Sequence, residues 1–201
     1  FYEFIPAGEI FNEHPTRLSL ADIKVGENYA LIVNSNAGLW GYNIGDTIRF
    51  VSTDPYRIVV TGRIKHYISA FGEHVIGEEV DTALMQAAQE HNAHIVEFTV
   101  APKINTDGEL PYHEWFVEFE QAPDNIAAFA HSVNQHLREK NIYYNDLING
   151  NILQELKINV MKPHAFIEYM RSIGKLGGQN KVPRLGNDRV IADALEAWVQ
   201  N

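Results

Sequence analysis

Cysteine, long apolar runs and an excess of positive charge are all missing from this sequence. Without cysteine there is no disulfide framework, no thiolate metal site and no cysteine nucleophile, and the absence fits a reducing, cytoplasmic location. No apolar run approaches the roughly 20 residues of a membrane span, and no charged-then-apolar leader opens the chain. The net charge is −10, from 16 basic and 26 acidic residues. An acidic surface repels nucleic acid and anionic membranes, so we expect neither as a partner.

Three motifs of common catalytic and metal sites are also missing. The sequence contains no H-E-x-x-H, no G-x-S-x-G and no G-x-x-x-x-G-K-[ST]. It therefore lacks a zincin helix, a hydrolase nucleophile elbow and a Walker phosphate loop. His91 and His94 straddle the end of a predicted helix, and spacing places no third ligand beside them. We expect no metal site built by these side chains.

The first third of the chain is predicted to be rich in β-strands. With 201 residues, 45% of them hydrophobic, the chain is long enough to bury a core. Apolar or alternating runs between Gly, Asn, Asp and Pro predict strands at Phe1–Ile5, Leu18–Leu20, Tyr29–Asn34, Leu39–Tyr42, Thr47–Ser52 and Arg57–Thr61. Such closely spaced strands indicate a small β-barrel or β-sandwich subdomain over residues 1–62.

The remainder, residues 63–201, is predicted to be an α+β domain with a mixed sheet flanked by helices. Helical spacing of apolar residues predicts helices at Val75–His91, Asp124–Lys140, Ala165–Ile173 and Asp188–Val199. Strand patterns follow at Lys65–Ala70, Ala93–Ala101, Tyr112–Glu120 and Leu156–Met161. The whole chain is thus predicted to be α+β, with its two parts joined near Gly62.

The stretch GLWGYNIGDTIRF, residues 38–50, places an acidic residue between two apolar segments that we predict to be buried strands. A buried carboxylate needs a hydrogen-bonding partner, and the two oxygens of Asp46 could accept from both hydroxyls of a ribose. On the dipeptide Gly45-Asp46 alone, an ordinary tight turn is the more frequent explanation. Both interpretations stay open at this point.

Two basic segments are candidates for contact with a charged substrate. Arg63 and Lys65 alternate on a predicted strand in TGRIKHY, where guanidinium and ammonium groups could bind a phosphate. Lys175, Lys181 and Arg184 lie among glycines in GKLGGQNKVPRL, which suits a cation that moves to a substrate and withdraws. Solvated charges on a hairpin, and an ordinary basic loop between helices, explain the same residues without a ligand.

The order of these segments resembles that of one known family. FYEFIP, GYNIGDTIRF, TGRIKHYISAFGEHV, HEWFVEFE and GKLGGQNKVPRL follow one another as in the C-terminal part of the auxin-responsive acyl-acid amido synthetases, the Gretchen Hagen family, in particular its bacterial members. The resemblance runs over essentially the whole chain. This family belongs to the adenylate-forming superfamily, in which a carboxylic acid attacks the α-phosphate of ATP and an amine, typically of an amino acid, then displaces AMP.

The resemblance implies a role for each residue that matches the family's motifs. Asp46 would bind the ribose hydroxyls of ATP, and Arg63 would support the ribose or phosphate side. Tyr2 would lie near the adenine or acyl pocket. Lys181 would be the mobile lysine that bridges the carboxylate and the α-phosphate during adenylation.

The resemblance also implies a hinge, two cofactors and a further lobe. Lys65 and His66 would form the hinge about which the second part rotates between the half-reactions, and ATP and Mg²⁺ would be used by the full-length enzyme. The chain opens on an apolar strand pattern without an initiator Met, and the family's Ser/Thr/Gly-rich phosphate loop has no counterpart here. We therefore expect an N-terminal lobe of the same polypeptide as a partner, and an isolated chain that is inactive.

Two positions depart from the family's pattern: its plant members usually have arginine where this chain has Asn43, and its bacterial members usually have arginine where this chain has Gly41. Two other functions also stay open. The chain could be a non-catalytic binding module that kept the fold, or part of a synthetase that joins its acid to coenzyme A as a thioester.

Overall fold

The computed structural model describes residues 1–10, 12–64, 67–68, 70–104, 108–177 and 180–200. The chain divides into two compact units, Phe1–Lys65 and His66–Asn201. In the part of the chain so described, no helix combines the length and hydropathy needed to cross a membrane.

The first unit is built on an antiparallel sheet whose strands are neighbours both in sequence and in space. These strands are β1 (Tyr2–Pro6), β2 (Asn28–Val33), β3 (Tyr42–Thr53) and β4 (Tyr56–Arg63). Within the described residues β1 and β4 form the two edges and do not pair with each other. The unit is therefore an open single sheet, and the predicted closure into a barrel or a two-sheet sandwich is not found among those residues.

Both faces of this sheet are apolar. On one face Phe4, Tyr29 and Phe50 form an aromatic cluster, in which the ring centroids of Phe4 and Phe50 lie 5.2 Å apart edge to face. On the other face Ile5 and Ile32 are buried in a separate core. Consecutive strand residues point to opposite faces, so adjacent residues such as Phe4 and Ile5 belong to different cores.

The second unit combines a short hairpin, a mixed sheet and helices. The hairpin consists of β5 (Tyr67–Ile68) and β6 (Val75–Ile76). The mixed sheet has the order β7-β8-β9, with β7 antiparallel and β9 parallel to the central strand. Its strands and the helices are β7 (His94–Lys103), β8 (Tyr112–Gln121), β9 (Lys157–Val160), α1 (Gly77–Glu90), α2 (Ile126–Lys140), α3 (Ile142–Asn149), α4 (Ala165–Ser172) and α5 (Val190–Leu195). The predicted α+β class is confirmed.

The mixed sheet separates two cores. Trp115 and Val117 of β8 pack with Phe129 and Leu137 of α2 in one core. Phe116, on the opposite face, packs in a second core with residues of α4 and α5. The alternation in WFV, which predicted a strand with two different faces, corresponds to this division.

Several predicted elements differ from the structure in their bounds. The first helix begins at Gly77 instead of Val75, because Val75 and Ile76 pair with β5. The Glu79 carboxylate accepts the Ile76 N–H at 3.0 Å, which fixes this helix start. The last helix is shorter than Asp188–Val199, since α5 gives way to a 3₁₀ turn at Glu196–Trp198. Of the predicted strand Lys65–Ala70, Tyr67 and Ile68 are in β5, and positions 65, 66 and 69 lie outside the described residues.

A buried acid–base pair lies at the start of the second unit. His113 Nε2 and Glu73 Oε1 are 2.8 Å apart, and both side chains are fully enclosed. Burial raises the pKa of Glu73, but the hydrogen bond and the charge of His113 outweigh that effect, with help from backbone amides including that of Phe71. The pKa of Glu73 is therefore lowered from its usual value of 4.5.

The stability of this unit is expected to decline on acidification partly through Glu73. A carboxyl with a lowered folded-state pKa stabilises the fold above its unfolded-state value, here 4.5, and the contribution is lost as the pH falls through the folded-state pKa. Glu73→Gln should be less stable than wild type at neutral pH and should lose less stability below about pH 5, as measured by urea unfolding. Glu120→Gln, at an exposed position, is the control. Identical acid profiles for Glu73→Gln and wild type would contradict this assignment.

Candidate functional site

Asp46 lies inside a continuous strand. The predicted strand Leu39–Tyr42 is wrong, because β3 begins at Tyr42 and runs through Asp46 to Thr53. The tight-turn interpretation of Gly45-Asp46 is therefore also wrong. The stretch preceding β3 is not buried either, since Trp40 is 84% exposed.

A bulge in β3 determines how Asp46 is presented. The pairing with β2 shifts between Ala30 and Ile32, so that residues 44–46 stand opposite the single residue Leu31. Gly45 has a φ of +85°, a conformation that a residue with a side chain rarely adopts. Its N–H donates to Asn43 Oδ1 at 2.9 Å, and its carbonyl accepts the Ile64 N–H at 2.8 Å. Such bulges re-aim a neighbouring side chain and occur next to functional sites.

Asp46 and Arg63 are directly opposite each other. They are Cα partners across the antiparallel pair β3–β4, although they are 17 positions apart in the sequence. Asp46 is partly buried. The fold thus brings two of the predicted nucleotide-binding positions into one place, at the bulged end of β3.

Tyr2 lies on the same sheet but two strands away. It pairs with Val33 of β2, which pairs in turn with Tyr42 of β3. Tyr2 and Tyr42 are both about half exposed. Together with Trp40 they give this end of the sheet an exposed aromatic surface. Sequence reasoning named Tyr2 but not Trp40 or Tyr42, since their stretch was predicted to be buried.

Lys181 belongs to the second unit, where it borders a cavity of about 230 Å³. The cavity is lined by two lysines, two glutamates and apolar side chains of α4, including Lys175, Lys181, Glu97, Glu118, Phe166, Ile167 and Met170. Lys181 is exposed and makes no hydrogen bond or ion pair with any described residue. Its ammonium group is therefore available to a ligand.

The loop that carries Lys181 is fixed at both ends. Before it, the buried carboxylate of Glu118 accepts the backbone N–H groups of His164 at 2.7 Å and Phe166 at 3.3 Å, at the start of α4. After it, Leu185 forms a parallel bridge with Val100 of β7, and Arg184 pairs with Asp81 of α1. The segment between these anchors is exposed where it is described, at residues 174–177 and 180–181.

The structure gives little or no information on three other predicted site residues. Lys65 and His66, the predicted hinge, lie outside the described residues, and for Arg63 the backbone position alone is described. No group of three or more His, Asp or Glu side chains suited to a metal ion occurs among the residues that the structure covers.

Two sequence models of one family match this chain. The model described as the GH3 family central domain matches residues 1–63. The model described as the GH3 family C-terminal domain matches residues 78–190. The chain belongs to the GH3 family.

Two homologous proteins from a plant support the same family assignment. Indole-3-acetic acid-amido synthetase GH3.3 of Arabidopsis thaliana is 25% identical over 99% of this chain and 35% of its own length. Indole-3-acetic acid-amido synthetase GH3.15 of the same plant is 27% identical over 96% of this chain and 35% of its own length. The chain therefore spans about a third of the length of these relatives.

Solved structures show that the fold is shared. The structure of GH3.15 acyl acid amido synthetase superimposes with a TM-score of 0.75 at 22% identity, over 100% of this chain and 36% of that one. A complex of AtGH3.15 with 2,4-DB gives 0.73 at 21% identity, over 100% of this chain and 37% of that one.

Proposed function

We propose that this chain supplies the central and C-terminal domains of an ATP-dependent acyl-acid amido synthetase. The observation that carries the proposal is the match of both parts of the chain to the GH3 family, whose curated relatives are named amido synthetases. We propose the domain boundary between residues 62 and 63, just before the division of the two compact units between Lys65 and His66. Catalysis is assigned to the complete gene product, because the chain itself has no glycine-rich loop of the phosphate-binding type.

The reaction has two balanced steps. In the first, a carboxylate oxygen of the acid attacks the α-phosphorus of ATP and the bond to the β-phosphate breaks, which gives an acyl-adenylate and pyrophosphate. In the second, the amine nitrogen of an amino acid or another amine attacks the acyl carbon, AMP leaves with the electrons of the broken C–O bond, and the nitrogen loses a proton. Both steps concentrate negative charge near the α-phosphate, where cations stabilise it.

Residues of both units are assigned to the first step. Asp46 accepts hydrogen bonds from the two ribose hydroxyls, a role that fits a partly buried carboxylate presented at a bulge. Arg63, its cross-strand partner, supports the ribose or the phosphates, and Tyr2 offers a face to the adenine or the acyl group. Lys181 neutralises charge on the carboxylate and the α-phosphate, as suits an exposed ammonium that pairs with no described residue.

Mg²⁺ accompanies ATP in this proposal without a dedicated protein cage. ATP-bound Mg²⁺ takes most of its ligands from phosphate oxygens and water, so the lack of a three-ligand cluster among the described residues is compatible with it. When bound, the ion neutralises phosphate charge. No residue of this chain is assigned to it.

The proposal includes a rotation between the two steps and a cellular location. Lys65 and His66 are proposed as the hinge, because the boundary between the two compact units falls at these residues. We propose a cytoplasmic location for the enzyme. ATP is available there, and the reducing conditions break no disulfide in a chain without cysteine.

The identity of the products tests this function. The complete gene product is incubated with ATP, Mg²⁺, a panel of carboxylic acids and either a mixture of amino acids or coenzyme A, and the products are identified by mass spectrometry. We expect an amide and AMP in equal amounts. A thioester in place of the amide would reassign the acceptor, and no AMP with any acid would leave the chain as a non-catalytic module of this fold.

A further inference from the structure

Glu73 and His113 have no part in the proposed chemistry, yet they form a fully buried polar pair. Both side chains have 0% exposure, and 2.8 Å separates Glu73 Oε1 from His113 Nε2. A carboxylate only accepts hydrogen bonds, so Nε2 is the donor. The second ring nitrogen, Nδ1, has no partner among the described residues. The hydrogen bonding of His113 therefore depends on Glu73.

Glu73 lies between two residues of unusual backbone conformation, just before β6. On either side of it Gly72 has a φ of +92° and His74 a φ of +48°, both in the left-handed region. A non-glycine residue such as His74 adopts that region at an energetic cost. The other Glu73 oxygen, Oε2, accepts the Phe71 N–H at 2.8 Å. The two oxygens of one buried carboxylate thus connect the loop backbone at Phe71 with the His113 ring of β8.

His113 is itself held by the helical core. Its ring packs against that of Tyr144 in α3, with the centroids 5.0 Å apart. The Tyr144 hydroxyl donates to Asn134 Oδ1 of α2 at 2.8 Å, and its backbone N–H donates to Asn141 Oδ1 at 2.8 Å. The pair therefore connects the segment before β6 to the helical core of the same unit.

The loop that carries Lys181 is anchored independently of this pair. Its contacts run through Glu118 to α4, through Leu185 to β7 and through Arg184 to α1. Among the described residues, the hydrogen bonds, ion pair and bridge of these anchors do not include Glu73 or His113. Loss of the pair should leave the Lys181 loop in place.

We propose that Glu73 and His113 are positioning residues for the second, amide-forming half-reaction. This inference rests on the proposed function. The loop that contains Glu73 follows closely after residues 65 and 66, where we place the hinge. In a hinge rotation a few residues absorb the backbone change, and the body beside them moves as one unit. Adenylation depends on Lys181 and survives without the pair, whereas the step that follows the rotation does not.

The two half-reactions of the complete gene product are measured separately in Glu73→Gln, with Glu120→Gln, at an exposed position of β8, as the matched control. ATP–pyrophosphate exchange reports adenylation, and single-turnover amide formation from preformed acyl-adenylate reports the second step. We expect Glu73→Gln to keep exchange within about threefold of wild type and to lose about tenfold or more in amide formation. Hydrogen exchange of backbone amides at 70–76 should accelerate in the same variant. Glu120→Gln should change neither rate.

Equal losses in both half-reactions, or no loss in either, would overturn the positioning role. If Glu73→Gln does not fold, His113→Phe carries the same test, because phenylalanine keeps an aromatic ring and has no donor for the carboxylate. If neither variant shows a cooperative unfolding transition, the pair serves folding alone and the proposal is overturned. The wild-type protein is measured first. If it shows no ATP–pyrophosphate exchange, it forms no acyl-adenylate, and the proposed function itself is refuted.

Discussion

Lys181→Ala is expected to lower ATP–pyrophosphate exchange by the complete gene product about 10²- to 10³-fold, which is the usual cost of removing one preorganised charge-stabilising group. Lys181 is exposed on a loop fixed at both ends and makes no ion pair with the described residues. Its removal should therefore leave the free energy of unfolding nearly unchanged. The loss should appear in the maximal rate, because charge neutralisation is needed most in the transition state.

Lys175→Ala is the matched control for this experiment. Lys175 has the same charge, borders the same cavity and lies six positions earlier in the same loop. We expect it to reduce exchange by less than about threefold, as for an exposed charge that does not touch the reacting atoms. If Lys175→Ala is the inactive variant and Lys181→Ala is active, the catalytic lysine has been assigned to the wrong position.

Asp46→Asn is expected to weaken the apparent affinity for ATP by about 10- to 100-fold, because hydrogen bonds to a charged acceptor contribute roughly 1.5–3 kcal/mol. The amide can accept one ribose hydroxyl but cannot replace the second charged acceptor. The effect should be found in the KM for ATP and in the affinity for AMP measured by calorimetry. The KM for the carboxylic acid should change little.

Asp54→Asn provides the comparison for Asp46. Asp54 lies between β3 and β4, at the far end of the same strand pair, and is exposed. It should leave the affinity for ATP and AMP unchanged. Equal effects of the two substitutions would mean that Asp46 acts through the net charge of the unit and not through a contact with the ribose.

The sequence was a good guide to long periodic elements and a poor one to short elements. Helix α2 was predictable because Phe129, Val133 and Leu137 recur at helical spacing over 15 residues. Helix α3 was not predicted. It has 8 residues, YY and ND within it suggest a strand or a turn, and it is fixed by Asn141, whose side chain accepts the Tyr144 N–H. Such a helix depends on tertiary contacts that no local pattern reveals.

Residues of the candidate site could be predicted where a single short sequence segment indicates their role. The acidic residue after Gly45 and the lysine in a glycine-rich loop are both visible in the sequence. The bulge was not, because it arises from the register between β2 and β3. Glu97 and Glu118, which line the cavity beside Lys181, come from β7 and β8. Glu73 and His113 are 40 positions apart. These groups meet only through the fold, so sequence spacing could not identify them.

One structure determination tests the central claim most directly, which is that Asp46 and Lys181 act on one adenylate. The complete gene product is crystallised with a non-hydrolysable acyl-sulfamoyl adenosine. We predict that both Asp46 carboxylate oxygens accept from the ribose hydroxyls, and that Lys181 Nζ lies within hydrogen-bonding distance of the sulfamate, which stands in for the phosphate. An analogue whose ribose is bound elsewhere, with Asp46 facing solvent, would contradict the account.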